Sequence, residues 1–214
     1  RCQQWQRHFL PRKTCLIMAA KVGALVLAAG FSNRYGSIKL CAELNNGHTV
    51  FAETLQRIRA AVSAVTVVTR PELVSKLTAA DLDIHAFDRA EKGMGATLAF
   101  GISLVQHWDA CLICLADMPF VEQRTYFSLA ENLSTDNIVI PTYRSHPGNP
   151  VGFGNEFFSE LLLLSGDSGG RPVVMQHPAS VIKQEVDDAA ILWDIDTPDD
   201  LARFQSKTLP DSST

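Results

Sequence analysis

From Lys21 onward, short apolar runs rich in β-branched residues alternate with longer amphipathic ones, and no other feature constrains the fold as much. Val22–Ala28, Ala64–Thr69, Asp83–Phe87, Ala110–Leu115 and Asn137–Ile140 are runs of strand length. Unbroken apolar strands of this kind belong to a sheet covered on both faces. Between them, Thr49–Ala61, Pro71–Ala80, Met94–His107 and Val121–Leu133 read as helices. In the third, Leu98, Ile102 and Val105 recur at helical spacing and form one apolar stripe. Pro71 suits a first helical turn, where its missing N–H would have no partner. The succession predicts one doubly wound, mostly parallel α/β sheet with helices on both faces.

After Pro141 the rhythm changes. Tyr143-Arg-Ser-His-Pro-Gly-Asn-Pro150 is loop chemistry, followed by a short apolar run, a helix near Asn155–Leu164, and Gly166-Asp-Ser-Gly-Gly-Arg171 opening another helix. Ser180–Val186 and Ile191–Ile195 read as strands before a last helix from Pro198. No linker or repeat interrupts the pattern, so residues 18–206 are read as one domain and 207–214 as a frayed tail. Arg1–Ile17 carries four cations and no acid, and Met18 stands directly before the first strand, so 1–17 is read as a leader upstream of the domain. It lacks the apolar core of a signal peptide.

The formal net charge is −4, and taking the four leader cations from the 19 in the chain leaves 15 against 23 acidic residues, or −8. Such a balance excludes a broad cationic surface for nucleic acid. The longest apolar stretch, Val22 to Gly30, falls far short of the ~20 residues of a membrane helix, so no membrane partner is expected. Cys2, Cys15, Cys41, Cys111 and Cys114 are odd in number, which fits a reducing cytoplasm better than a disulfide framework. Cys111 and Cys114 form a CxxC. On a strand, however, positions three apart face opposite ways, so they are read as core rather than as a zinc or redox pair.

Chemistry concentrates in Leu27-Ala-Ala-Gly-Phe-Ser-Asn-Arg-Tyr-Gly-Ser-Ile-Lys39, which follows the first strand. Loops at the carboxyl ends of parallel strands are where open α/β sheets bind ligands, and small residues let the backbone approach a phosphate. Arg34 and Lys39 supply cations. Neither the dinucleotide GxGxxG nor the Walker GxxxxGK[ST] pattern is present, which argues against a nicotinamide enzyme and a P-loop NTPase. Asp117, in Ala116-Asp-Met-Pro119, ends the fourth strand and offers a carboxylate at the same edge. A nucleotide-bound Mg²⁺ needs only one or two protein carboxylates. Asp196, in Asp194-Ile-Asp-Thr-Pro-Asp-Asp200, offers the second. Asp199 and Asp200 are more simply first-turn charges, and a capping role for Thr197 or Asp196 is the plainer alternative.

The loop resembles the LAAGxSxRxGxxK signature of the nucleotidyltransferases of the molybdenum cofactor and related cytidylyltransferases. Gly93-Met-Gly-Ala-Thr97, Leu115-Ala-Asp-Met-Pro119, Gly148-Asn-Pro-Val151, Gly166-Asp-Ser-Gly-Gly-Arg171 and Asp194-Ile-Asp-Thr-Pro198 follow in order. Together they are similar to molybdenum cofactor cytidylyltransferase over Val22 to about Phe204. The resemblance implies a Rossmann-like nucleotidyltransferase fold and transfer of CMP from CTP to the terminal phosphate of molybdopterin, with release of pyrophosphate. It implies that Leu27, Ala28, Ala29 and Gly30 hold the base and ribose, with Gly95, Ala96 and Thr97 opposite. Arg34 and Lys39 would grip the triphosphate as catalytic cations, Asp117 and Asp196 would bind Mg²⁺, and Asn149, Asp167 and Arg171 would shape the acceptor side. A molybdenum hydroxylase or its chaperone is the implied partner.

Three positions depart from the pattern: Asn149 for His, Gly170 for Ala and Tyr35 for Met. They bear on the acceptor more than on the chemistry. Ala28-Ala29 resembles the cytidylyl loop rather than the guanylyl one, whose third residue is Gly, and one methyl against a base discriminates by ~1–3 kcal/mol. The attacking group is already an ionised phosphate, so no general base is assigned, and His146 is read as a loop histidine or a substrate contact. Alternatives are transfer to another phosphorylated acceptor of guanylyl, sugar or isoprenoid type, or a non-catalytic delivery protein with Phe157–Leu164 as its partner surface.

Overall fold

In the computed structural model, the residues described are 21–208 apart from 32, 33, 78 and 80. The expected leader, with Cys2, Cys15 and Met18, and the tail beyond 208 lie outside them. β1 (Val22–Ala28), β2 (Ala64–Thr69), β3 (Asp83–Ala86) and β4 (Ala110–Leu115) pair in parallel in the order β3-β2-β1-β4. Next to β4 the sheet changes character. β5 (Ile138–Tyr143) and β6 (His146–Pro147) form a hairpin, and β7 (Val151–Gly154) inserts antiparallel between β4 and β5. β8 (Val181–Glu185) pairs in parallel with β5 on its other side.

Alternation along β1 explains why helices cover both faces. Ala24, Val26 and Ala28 enter one core with α1 (Val50–Ala61), α4 (Gln123–Glu131) and α7 (Pro198–Thr208). Leu25, Leu27 and Ala29 enter the other, with α3 (Met94–Leu104), α5 (Phe158–Leu161) and α6 (Arg171–Gln176). Cys111 and Cys114 divide the same way, one in each core, and both are free thiols. Burial pushes both thiols far up, so they are inert packing groups.

Several elements differ from expectation. The helix expected over Pro71–Ala80 is one turn, α2 (Pro71–Val74), because among its described residues only Leu73 and Leu77 are buried before the chain must return to β3. Ile191–Ile195 is not a strand. A 3-10 turn, Ala189–Leu192, is capped by the Asp188 side chain, and Ile191 and Ile195, which a strand would also have placed on one face, are both buried from the turn and the segment after it. Asn155–Leu164 forms a 3-10 turn leading into α5 rather than one helix, burying Phe157, Phe158 and Leu161 and leaving Leu163 exposed. The expected tail begins inside α7, which runs through Lys207. Among the described residues, no helix is long and apolar enough to cross a membrane.

Candidate active site

Because β1 and β4 are parallel neighbours, their carboxyl ends deliver loops to one edge. Lys39 stands on a 3-10 turn, Lys39–Cys41, after the β1 loop, and Asp117 follows β4. The Lys39 Nζ lies 2.5 Å from Asp117 Oδ2 and 3.3 Å from Asp196 Oδ1, and Arg34 Nη2 reaches Asp196 Oδ2 at 2.6 Å. Lys39 and Asp117 are nearly buried, with side chains 11% and 16% exposed. Burial acts first on the ammonium and lowers its pKa, but Asp117 and then Asp196 reverse this and hold it above the ordinary lysine range. Burial likewise leads at Asp117, and there it wins. The carboxyl is lifted above its ordinary value although Lys39 pulls it down.

The start of α7 frees Asp196 for this cluster. The Thr197 hydroxyl accepts from the Asp200 N–H at 3.1 Å, and the Asp200 carboxylate accepts from the Thr197 N–H at 3.0 Å, a reciprocal capping box. Thr197 and Asp200 therefore take the capping role, with Pro198 in the first turn. Ile195 N–H donates to the Asp117 carbonyl at 3.1 Å, which fixes the two acidic segments to one another.

The opposite wall comes from two remote glycine segments. Gly93 holds φ +97, and a Cβ there would meet the Gly166 backbone at 2.4 Å. Gly95 N–H donates to the Gly166 carbonyl at 2.7 Å, and Gly166 N–H donates to the Lys92 carbonyl at 3.0 Å. Only glycine permits so close an approach with that φ. Between the walls is a cleft of about 400 Å³ lined by Ala29, Gly30, Arg34, Lys39, Thr97, Asp167 and Asp196 among the expected residues. Asp117 lies behind it through Lys39. Ala28 is buried, its carbonyl accepting from the Thr69 hydroxyl at 2.9 Å, so any base-reading methyl in this loop is that of Ala29. Gly95 and Ala96 stand behind the wall rather than on it.

A second cleft of about 630 Å³ adjoins the first at Met94, which lines both. It contains Asn149 and Arg171, and also Leu27, but not Asp167, which faces the first cleft instead. Its walls are otherwise mostly apolar, from Leu98, Ile113, Ile140, Val151 and Phe153 to Met175, with Arg171 the single charged side chain among the described residues lining it. Asn149 N–H donates to the Ile191 carbonyl at 2.9 Å. At Gly170 a Cβ would fall 2.8 Å from Phe153 Cζ. The space of the alanine expected there is thus taken by an aromatic ring, a larger change than the substitution itself suggests. Tyr35, in place of Met, packs against the core of α1 and α7. His146 lines neither cleft; its Nδ1 lies 2.9 Å from the Arg144 carbonyl in the β5–β6 hairpin.

Sequence reasoning passes over Phe31, Ala90 and Met94, which also line the first cleft. Phe31 occupies a free position of the loop signature, where the pattern gives no reason to weigh it.

A divalent ion can be tested against these donors. Among the described residues, no group of three or more His, Cys, Asp or Glu could hold a metal alone. Asp117 and Asp196 nonetheless bring two hard carboxylates onto one cationic centre. They fit an ion such as Mg²⁺ that takes its other oxygens from phosphate and water.

Residues 24–181 match the family described as the MobA-like NTP transferase domain. No curated protein matches the chain. Among solved structures, the Rv0371c protein of Mycobacterium tuberculosis is 26% identical with a TM-score of 0.77, covering 87% of this chain and 99% of its own. A manganese complex of the same mycobacterial protein is 25% identical at a TM-score of 0.73, again covering 87% and 99%. A molybdopterin-guanine dinucleotide biosynthesis protein A from Archaeoglobus fulgidus is 20% identical with a TM-score of 0.59, covering 86% and 97%, a likeness of fold.

Proposed function

The chain belongs to the MobA-like NTP transferase family, a family of nucleotidyltransferases, and from that premise we propose that it transfers CMP from CTP to the terminal phosphate of molybdopterin. An oxygen of the acceptor phosphate attacks the α-phosphorus of CTP, the bond to the β-phosphate breaks, and pyrophosphate leaves. The observation that carries this reading is the meeting of Lys39, Asp117, Asp196 and Arg34 at the edge of a nucleotide-sized cleft.

In such transfers charge gathers on the nonbridging oxygens and on the departing pyrophosphate, so fixed cations supply most of the help. Lys39, held protonated by two carboxylates, is a preorganised donor to the triphosphate, and Arg34 is an exposed one. Mg²⁺ ligated by Asp117 and Asp196 would neutralise phosphate oxygens, and the manganese complex of the mycobacterial relative supports a divalent ion. Asp167 belongs with the nucleotide, while Asn149 and Arg171 receive the acceptor. No proton acceptor is needed, and among the described residues lining the first cleft there is no histidine. Ala29, facing the cleft, favours CTP over GTP by crowding a larger base.

The apolar second cleft suits a flat ring system better than a polyhydroxylated sugar phosphate, whose hydroxyls would lack partners there. The product would pass to a molybdenum hydroxylase or its chaperone. Pyrophosphate release from CTP with molybdopterin and Mg²⁺ tests the reading. Many turnovers per protein are expected; stoichiometric binding without release would support a delivery protein instead.

A further inference from the structure

We propose that Phe31, backed by Arg70, is the platform on which the nucleotide base stacks, an inference that rests on the nucleotide reading of the first cleft. Phe31 follows Gly30 early in the loop after β1, is 46% exposed and lines the cleft. Among the described residues lining that cleft it is the only aromatic one. Arg34 and Lys39 are the cations there, and they suit the triphosphate, which leaves the base to be met by an apolar surface.

What marks the ring as more than an exposed side chain is the arrangement behind it. Arg70 stands at the end of β2, before α2, and its Cζ lies 4.4 Å from the Phe31 ring centroid. Its side chain is only 14% exposed, its Nη1 pairs with Glu72 at 2.7 Å, and its buried Nε finds no partner among the described residues. A buried guanidinium with an idle donor is costly for folding alone. It is reasonable if its task is to hold a ring in place, with one face covered by the cation and the ring still open to the cleft. Every base has a π face, so such a platform strengthens binding without choosing among bases. Selection between cytosine and guanine stays with Ala29.

The test is titration of the full chain, in Mg²⁺, with CTP, GTP and inorganic tripolyphosphate. Phe31→Ala is expected to weaken CTP and GTP alike by about tenfold or more and to leave tripolyphosphate affinity unchanged. Phe31→Trp is expected to keep nucleotide affinity and to show fluorescence quenching on binding, and Arg70→Met to lose less than Phe31→Ala. Unchanged CTP affinity in Phe31→Ala, or an equal loss for tripolyphosphate, overturns the platform. A wild-type chain that binds neither CTP nor GTP overturns the nucleotide reading of the cleft, and the platform with it.

Discussion

The two halves of the sheet support two unlike clefts. At the carboxyl edge of the parallel strands, charges of both signs converge on Lys39, in a cleft small enough to enforce contact. Beside β4, where antiparallel β7 is inserted, the second cleft is larger and mostly aliphatic, with one arginine at its rim. Parallel strands end together and deliver polar loops to one edge, whereas the inserted strand lines its cleft with side chains such as Val151 and Phe153. The difference divides the work: one cleft handles charge and the other handles shape. Met94 stands where they meet.

Removing the charge should do the most damage. Asp117→Ala is expected to lower pyrophosphate release by about 10³-fold while circular dichroism and the thermal midpoint show a folded protein. Activity near wild type would show that the ionic cleft is not where transfer occurs. Next, Gly93→Ala attacks the seam that closes the first cleft. A side chain at φ +97 pressed against the Gly166 backbone is expected to cost about 2–4 kcal/mol, read as a lower denaturant midpoint, and to weaken CTP binding. An unshifted midpoint would mean that the two glycine segments are not locked together. Arg171→Ala should separate the clefts, raising the KM for the acceptor about tenfold or more with the KM for CTP in place. A change in both constants would erase the division.

The smallest effect is one of pH. Burial lifts the Asp117 carboxyl, so on acidification it takes up its proton at a higher pH than an ordinary aspartate, and its charge is lost below that point. Mn²⁺ binding followed by electron paramagnetic resonance, with CTP present, should fall with acid along this limb. In Lys39→Met the ammonium no longer opposes the lift, and the limb should move to higher pH. A downward move would place the dominant charge elsewhere than on Asp117.

How much of this was legible in the sequence follows the same division. β1, β2 and β4 have the residue bounds that the apolar runs predict, because strands covered on both faces leave unbroken runs. Ile191–Ile195 misleads because five mixed residues cannot report whether isoleucines four apart share a strand face or anchor a turn. In the site, Arg34, Lys39 and Asp117 could be singled out because charge in loops after strands has few structural uses, and Asp196 because its acidic run offers a second carboxylate, although no strand leads directly into it. The cleft that Asp167 faces could not, since it depends on the contact of Gly166 with Gly93 and Gly95. The second cleft is marked in the sequence only by the motifs around Asn149 and Arg171; its aliphatic walls carry none, because Leu98, Ile113 and Phe153 look like core in any sequence and here are core as well.

The central claim is that a nucleotide in the charged cleft is joined to an acceptor in the aliphatic one. Mass spectrometry of the product formed from CTP, molybdopterin and Mg²⁺ tests it most directly. A single new species heavier than the acceptor by one CMP unit, formed with one equivalent of pyrophosphate, is expected. Unaltered acceptor, with CTP intact or merely hydrolysed, would contradict it.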